Sequence, residues 1–336
     1  MRFIHLLIIL LTLAAYSCPL IDPHTFWPLA TLGLLAPMLW LLVLIFGFYW
    51  LWKKDGAVWL SSITLLLGMN IITTAFAIPD GKVQYTAKPI SIVSLNGHAF
   101  MDDNTKMAAY LASLKSDILC LQEFHKKRNK AGLIKQIKAT TGLDHLYHDN
   151  NGGIAVFSRY PLKNGATHFF ENRVNGYLAV DVESPDGVFR LFNLHLQTNA
   201  ISRMANKVAK DVNLQDKKTW LTIKGMFGRY GRSSRIRSEQ SRQIMAEVRG
   251  SPYPVFLCGD FNDVPASYLY GLYQEELQDA HLAQSWGLGA TYAGVLPGLR
   301  IDYLMPDHAF DIINYKTFDC FFSDHRAICG EVVLQK

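Results

Sequence analysis

The sequence predicts a mixed α/β domain with stacked sheets, set behind an apolar N-terminal region suited to a membrane. Three observations carry this. The long apolar runs are concentrated in the first 78 residues, and beyond them short β-rich runs alternate with helical patterns. Polar side chains then recur just after those β-rich runs, where strand ends can aim groups at one point. A chain of 336 residues, 50% apolar and 18% charged, is long enough for a full hydrophobic core, which excludes disorder and a disulfide-stapled miniprotein.

The N-terminal region comes first. Residues 3–18 are almost wholly apolar, and residues 26–52 and 58–78 contain no charge. About 20 helical residues cross a hydrocarbon core of roughly 30 Å, so the second and third runs are long enough and the first is marginal, giving about three spans over residues 1–78. Tyr49, Trp50, Trp52 and Trp59 cluster where aromatic rings favour the headgroup level. Arg2 precedes the first run and Lys53 and Lys54 separate the second from the third, while residues 19–25 carry no Lys or Arg. The N-terminus and the lysine loop are therefore expected on the cytoplasmic side, and everything after residue 78 outside, periplasmic or extracellular. A rival account makes the first run a signal peptide or lipoprotein anchor ending near Cys18, which leaves two spans and the same outer location.

Residues 79–336 form the second region, entered through the turn-rich Pro79-Asp80-Gly81-Lys82. Strands are expected at 90–95, 118–122, 154–158, 178–182, 189–196, 255–258, 301–305, 312–318 and 327–334, and helices at 105–114, 131–140, 238–248 and 269–276. Cys120 and Cys258 sit in apolar strands as small hydrophobes, whereas Cys320 and Cys329 can pair in an oxidising compartment without their spacing demanding it. Between residues 203 and 242, Lys207, Lys210, Lys217, Lys218, Lys224, Arg229, Arg232, Arg235 and Arg237 face only Asp211, Asp216 and Glu239. A solvated face is the ordinary explanation of such a run. In a chain held at a bilayer it also suits anionic lipid, and equally nucleic acid or another polyanion.

The chemistry-bearing residues are Ser94-Leu95-Asn96, Leu121-Gln122-Glu123, Asn193-Leu194-His195, Gly259-Asp260-Phe261-Asn262, Arg300-Ile301-Asp302 and Ser323-Asp324-His325. Taken singly, Asp260 or Asp324 reads as a turn or cap residue and His195 as a half-buried imidazole. Taken together they suit hydrolysis of a phosphate ester. That reaction needs an aligned nucleophile, neutralised phosphoryl oxygens and help for the leaving group. Glu123, Asp324 and Asn96 offer the oxygen donors that a hard cation such as Mg²⁺ prefers. Close carboxylates repel unless a cation sits among them. Asp302 favours the charged form of His325, His195 adds a second donor, and Asp260 with Asn262 can accept a proton from water and fix its direction.

This ordered set resembles the endonuclease/exonuclease/phosphatase superfamily of DNase I-like phosphoesterases, from about Ile90 to Val333. The resemblance implies a four-layer sandwich of two packed β-sheets flanked by helices, and it does not cover the N-terminal transmembrane helices that precede it. It implies metal binding by Asn96, Glu123 and Asp324, with Mg²⁺ or alternatively Mn²⁺, and catalysis by His195, Asp260, Asn262, Asp302 and His325. Leu95 and Gly97-His98 depart from the superfamily's usual aromatic and basic residues. His125 reads as a surface histidine or a phosphate contact, and Thr291-Tyr292 as part of the groove rim. The expected activity is that of a membrane-anchored nuclease, phospholipase C-like enzyme or phosphatase, with no protein partner. The alternative is a catalytically inactive, membrane-tethered binding module of the same fold.

Overall fold

The computed structural model describes residues 1–79, 81, 85, 87–124, 130–148, 153–171, 174–198, 216–294 and 298–335, without the side chains of Lys217 and Lys218. The chain divides into two compact units. The first comprises Met1–Phe76, Asn199–Ser241 and Asp263–Glu275; the second comprises Ala77–Thr198, Arg242–Asn262 and Glu276–Lys336.

The first unit is built on apolar helices: α1 (Arg2–Tyr16), α2 (Pro23–Phe26), α3 (Pro28–Trp52), α4 (Val58–Leu67) and α5 (Met69–Ala75). Two stretches, Arg2–Leu20 and Pro28–Trp52, are long and apolar enough to cross a membrane. The third expected span is broken, because α4 and α5 meet at a 56° bend. Gly68 forms the joint. A Cβ there would lie 2.1 Å from the Tyr16 ring, and Tyr16 donates its hydroxyl to the Thr64 carbonyl at 3.1 Å. Arg2 pairs with Asp55 at 2.8 Å, which brings the start of α1 to the turn after α3. Apolar patterning did not single out His5. Trp50 Nε1 donates to its Nδ1 at 2.9 Å and its Nε2 lies 2.8 Å from Ser61 Oγ, so one imidazole joins α1, α3 and α4.

The same unit holds most of a long helix, α8 (Lys217–Arg249), up to Ser241, and the short α9 (Tyr268–Gln274). Only the last third of α8 follows the helical period read from the sequence. Arg237 is fully buried in it and bonds Asp263 through Nε at 3.0 Å, and Tyr230 donates to the same carboxylate at 2.6 Å. Of the basic segment, residues 203–215 lie outside the described residues.

In the second unit, a six-stranded sheet runs β10-β11-β1-β2-β4-β3 and a five-stranded sheet runs β5-β6-β7-β8-β9. The strands of the first are β1 (Ile90–Asn96), β2 (Ile118–Gln122), β3 (His145–His148), β4 (Ala155–Ser158), β10 (Phe310–Phe318) and β11 (Ala327–Leu334). Those of the second are β5 (Leu162–Phe169), β6 (Gly176–Ser184), β7 (Gly187–His195), β8 (Val255–Asp260) and β9 (Asp302–Pro306). Both sheets are mixed. Each contains one parallel pair, β1 with β2 and β7 with β8, and the rest is antiparallel.

Alternation along the strands explains the layering. Ile92, Ile118, Cys120 and Val156 join Val180, Leu191, Phe256 and Leu304 in the core between the sheets. Their neighbours Val93, Leu95, Leu119, Leu121 and Phe157 face Met107, Leu111, Leu133 and Ile137 of α6 (Asn104–Ser113) and α7 (Lys130–Thr141). A last helix, α10 (Ala280–Gln284), packs on β9 and β10. This is the sandwich of two packed sheets with helices outside that the sequence predicts. Two edge strands, β3 and β5, escaped the sequence reading, and Tyr147 of β3 donates to the Gly165 carbonyl of β5 at 2.6 Å. All five cysteines are free thiols, so Cys320 and Cys329 do not pair.

Candidate active site

Parallel pairing places two strand ends side by side in each sheet. Asn96 stands opposite Gln122 at the ends of β1 and β2, and His195 opposite Asp260 at the ends of β7 and β8. Antiparallel β9 begins at the same edge, with Asp302 opposite Asp260. Gly259 makes the second pairing possible. Its φ is +134°, and a Cβ would fall 2.1 Å from the Leu194 carbonyl oxygen. Beyond the strands, Glu123 and Asn262 adopt left-handed backbone, φ 55° and 56°, as do His98, Ala99 and Phe100. Such residues persist only where their surroundings hold them.

The polar groups converge. Asn96 Nδ2 donates to Asp260 Oδ2 at 2.9 Å and to Glu123 Oε1 at 3.3 Å. Asn262 holds both oxygens of Asp260, donating its backbone N–H to Oδ1 at 2.8 Å and its amide to Oδ2 at 3.0 Å. His195 Nε2 lies 3.8 Å from Glu123 Oε1 and 3.9 Å from Asp260 Oδ2. His325 Nε2 stands 3.9 Å from that same oxygen, while its Nδ1 meets both Asp302 oxygens at 3.0 and 3.1 Å. Asp324 joins through His98, whose backbone N–H donates to Asn96 Oδ1 at 3.1 Å and whose Nδ1 lies 3.3 Å from Asp324 Oδ1. Seven of the eight residues are thus linked directly, and Asp324 through His98.

Burial sets the electrostatics. It pushes the Asp260 carboxyl up to about 7, with Asp302 adding to the rise and His325, Asn96 and the Asn262 N–H opposing it. For His325 burial works against the charge, yet Asp302, Asp260 and Asp324 prevail and raise the imidazole to about 10. The surroundings thus favour the charged form of His325 and disfavour ionisation of Asp260.

Two donor sets bear on a metal. Asp260, Asp302 and His325 offer ligand atoms all within 4.8 Å of one another, but His325 Nδ1 and both Asp302 oxygens are committed to their ion pair. Glu123 and Asp324 are the more accessible carboxylates, with side chains 26% and 37% exposed. They are hard oxygen donors of the kind a divalent cation prefers, whereas Asn96 turns its amide nitrogen toward Glu123 and its Oδ1 toward the His98 N–H.

Several supporting residues had no role read from the sequence. Gln122 donates to Ser94 Oγ at 3.0 Å and to Asn193 Oδ1 at 2.6 Å, and Asn193 donates to the carbonyls of Leu121 and Ala155, tying β2 to β7. Both amides are fully buried; two amides in apolar strands were the available signal. Thr291 is fully buried rather than at a rim, and its Oγ1 accepts from the backbone N–H groups of Ile301 and Asp302. Tyr292 sits edge-on to His325 at 5.7 Å. Ser323 donates to the Asn96 carbonyl at 2.6 Å. His125 lies outside the described residues.

The sequence profile of the Endonuclease/Exonuclease/phosphatase family matches residues 94–325, well over half of the chain. The chain belongs to that family. Its members are hydrolases of phosphate esters and are generally dependent on a divalent metal. Residues 1–75 match a domain of unknown function (DUF8431). The sequence matches none of the curated proteins.

Among solved structures, an endonuclease/exonuclease/phosphatase from Beutenbergia cavernae is 19% identical, with TM-score 0.55 over 74% of this chain and 72% of that one. A family protein from Leptotrichia buccalis is 16% identical, with TM-score 0.51 over 73% of this chain and 100% of that one. D. rerio TDP2 complexed with single strand DNA product is 15% identical, with TM-score 0.50 over 74% and 100%. At these identities the likeness concerns the fold.

Proposed function

We propose that the chain is a membrane-anchored, Mg²⁺-dependent phosphoesterase that hydrolyses a phosphodiester or phosphomonoester by in-line attack of an activated water. The observation that carries this reading is the approach of His195 and His325 to one Asp260 oxygen, each Nε2 3.9 Å away. Two donors and a base thereby face one point. A phosphoryl group held there accepts hydrogen bonds from both imidazoles. Asp302 keeps His325 charged, which offsets the negative charge growing on the phosphoryl oxygens.

Asp260 takes the proton from water; a carboxyl near 7 is matched to general-base work at neutral pH. Asn262 grips both oxygens of that carboxylate and so fixes the line along which water is activated. Glu123 and Asp324 would hold Mg²⁺, joined by Asn96 once its amide turns to present oxygen. When bound, the cation supplies Lewis-acid polarisation of the phosphoryl oxygen.

The anchoring half rests on the two long apolar stretches and the bent third pair. The Arg2–Asp55 contact gathers Arg2, Lys53 and Lys54 at one end of the helices. Positive charge favours the cytoplasmic side, so three crossings put the catalytic unit outside.

The test uses the full chain purified in neutral detergent, with Mg²⁺ or with chelator. Plasmid DNA, RNA, phospholipids including sphingomyelin, and inositol phosphates serve as substrates. Mg²⁺-stimulated hydrolysis of at least one ester is expected, reduced about a hundredfold or more in Asp260→Asn and in His325→Gln. Absence of turnover on every ester, or wild-type rates in both variants, would refute the catalytic reading.

A further inference from the structure

Three guanidinium groups and an indole share a recess in the first unit. Arg229, Arg232 and Arg235 of α8 line it with Trp27, Gly225 and Gly228, enclosing about 640 Å³. Its floor is bare backbone. A Cβ on Gly225 or Gly228 would meet nothing within 4 Å, so neighbouring packing does not require glycine at either position. Each glycine inside a helix is nonetheless unfavourable by about 1 kcal/mol relative to alanine. Gly231 differs, because Trp27 lies directly on it, its ring 2.0 Å from where a Cβ would be.

The walls are positively charged, and that of Arg235 is held in place. Arg235 Nε donates to the Pro23 carbonyl at 3.3 Å, and His24 Nε2 lies 3.1 Å from the Arg235 carbonyl oxygen. Ser238 donates to Asp22 at 3.0 Å, so the segment before Trp27 is clamped to α8. Arg229 and Arg232 are exposed. From Lys217 to Ser238 the sequence contains no Asp or Glu, and among the described residues there the one buried cation, Arg237, is paired with Asp263. The first acidic residue of α8 is Glu239, one turn beyond Arg235, so the stretch that carries Arg229 and Arg232 has no carboxylate of its own.

Its place selects the ligand. Trp27 directly precedes α3, a helix long and apolar enough to span, and Leu20 and Phe26 of the same connection are exposed apolar side chains. That is the end of α3 opposite Lys53 and Lys54, at the level where indole rings and phosphate headgroups meet. The geometry points to a headgroup site for an acidic phospholipid, with the phosphate over the glycine floor, between Arg229, Arg232 and Arg235, and Trp27 at the glycerol level. This rests on the reading of α1 and α3 as membrane spans and is independent of the catalytic reading. A single recess beside a span, open to solvent, suits one lipid headgroup better than a polymer, which needs a continuous basic track.

The test reconstitutes the full chain in nanodiscs of phosphatidylcholine with or without phosphatidylglycerol and counts retained lipid by native mass spectrometry after mild extraction. Phosphatidylglycerol is expected to be retained over phosphatidylcholine. Arg229→Gln with Arg232→Gln should weaken retention by about 25-fold, at about fivefold per cation removed. The pair Gly225→Ala and Gly228→Ala should also weaken it by filling the floor, while raising the unfolding temperature through better helix propensity. Equal retention of the two lipids, or retention unchanged in both variants, would overturn the proposal. So would displacement of lipid by inorganic phosphate alone, which identifies a free-phosphate site, or by a DNA oligonucleotide through the same arginines. Alkaline extraction of native membranes tests the span reading separately: a chain released from the membrane sinks that reading, whereas an integral chain indifferent to headgroup sinks only the recess.

Discussion

Replacing Gly259 with alanine tests whether the close parallel pairing of β7 and β8 is what brings His195 beside Asp260. At φ +134° an L-residue is strained, by about 1–3 kcal/mol. The new methyl would stand 2.1 Å from the Leu194 carbonyl oxygen and 2.7 Å from its nitrogen. Both are backbone atoms in a ladder, so the strands must part by roughly 1 Å, weakening the flanking hydrogen bonds by about 1 kcal/mol each. Together these give a destabilisation of about 3–5 kcal/mol. It would be read by denaturant unfolding of the full chain in detergent, followed by near-UV circular dichroism. Turnover should fall with it, since the next residue is Asp260. Adding Leu194→Ala should restore nothing, because the clash is with main chain. A loss below about 1 kcal/mol, or rescue by Leu194→Ala, would refute the reasoning.

Further outcomes follow from other parts of the second unit. Asp302→Asn removes the partner that keeps His325 charged, so turnover should drop about a hundredfold or more while the Mg²⁺ activation curve stays in place; a wild-type rate would count against the ion pair. Glu123→Gln should instead shift that activation curve to higher Mg²⁺, and an unmoved curve would remove Glu123 from the cation. Asp279 and Arg300 form a pair whose side chains are each 1% exposed. Arg300→Met should therefore destabilise by about 3–5 kcal/mol, largely recovered when Asp279→Asn is added, as measured by a double-mutant cycle. His281 is buried, and burial followed by Arg300 lowers its imidazole from 6.5 to about 4. The unfolded chain then binds the extra proton, so this contribution is complete above pH 6.5 and is lost as pH falls towards 4, by about 3 kcal/mol at most. His281→Gln should flatten that slope of stability against pH, and an unchanged slope would contradict it.

The edge that carries the candidate site was legible because its residues follow apolar strands directly, and an exposed-type side chain at that position has few structural uses. The strands buried on both faces were legible for the same reason: Ile118-Leu119-Cys120-Leu121 has no polar interruption. Edge strands were not. β5 carries Asn164-Gly165 and an irregular register between Lys163 and Ala166, which breaks alternation, and β3 is only four residues long. The first half of α8 was hidden because its glycines and arginines mask the helical period, though its face is held by Trp27 against Gly231 and by Asp263 through Tyr230. Composition showed an unbroken third run, whereas the chain bends at Gly68, with the Tyr16 ring packed against that glycine. A polar residue that serves by holding another, such as Thr291 under Asp302, carries no spacing signature, since its partner lies eleven positions away in a separate segment.

The hydrogen bond from the Gln122 amide to the Asn193 amide has a mechanical consequence. Asn96 and Glu123 leave the six-stranded sheet, whereas His195, Asp260 and Asp302 leave the five-stranded one. Sliding one sheet across the other would therefore pull Glu123 away from Asp260 without unfolding either. Gln122 is the residue before Glu123, and Asn193 stands two before His195, so this bond acts as a dowel through the joint at its most sensitive point. Loosening it would leave two intact half-sites out of alignment, an enzyme slowed by shear rather than by loss of any reacting group.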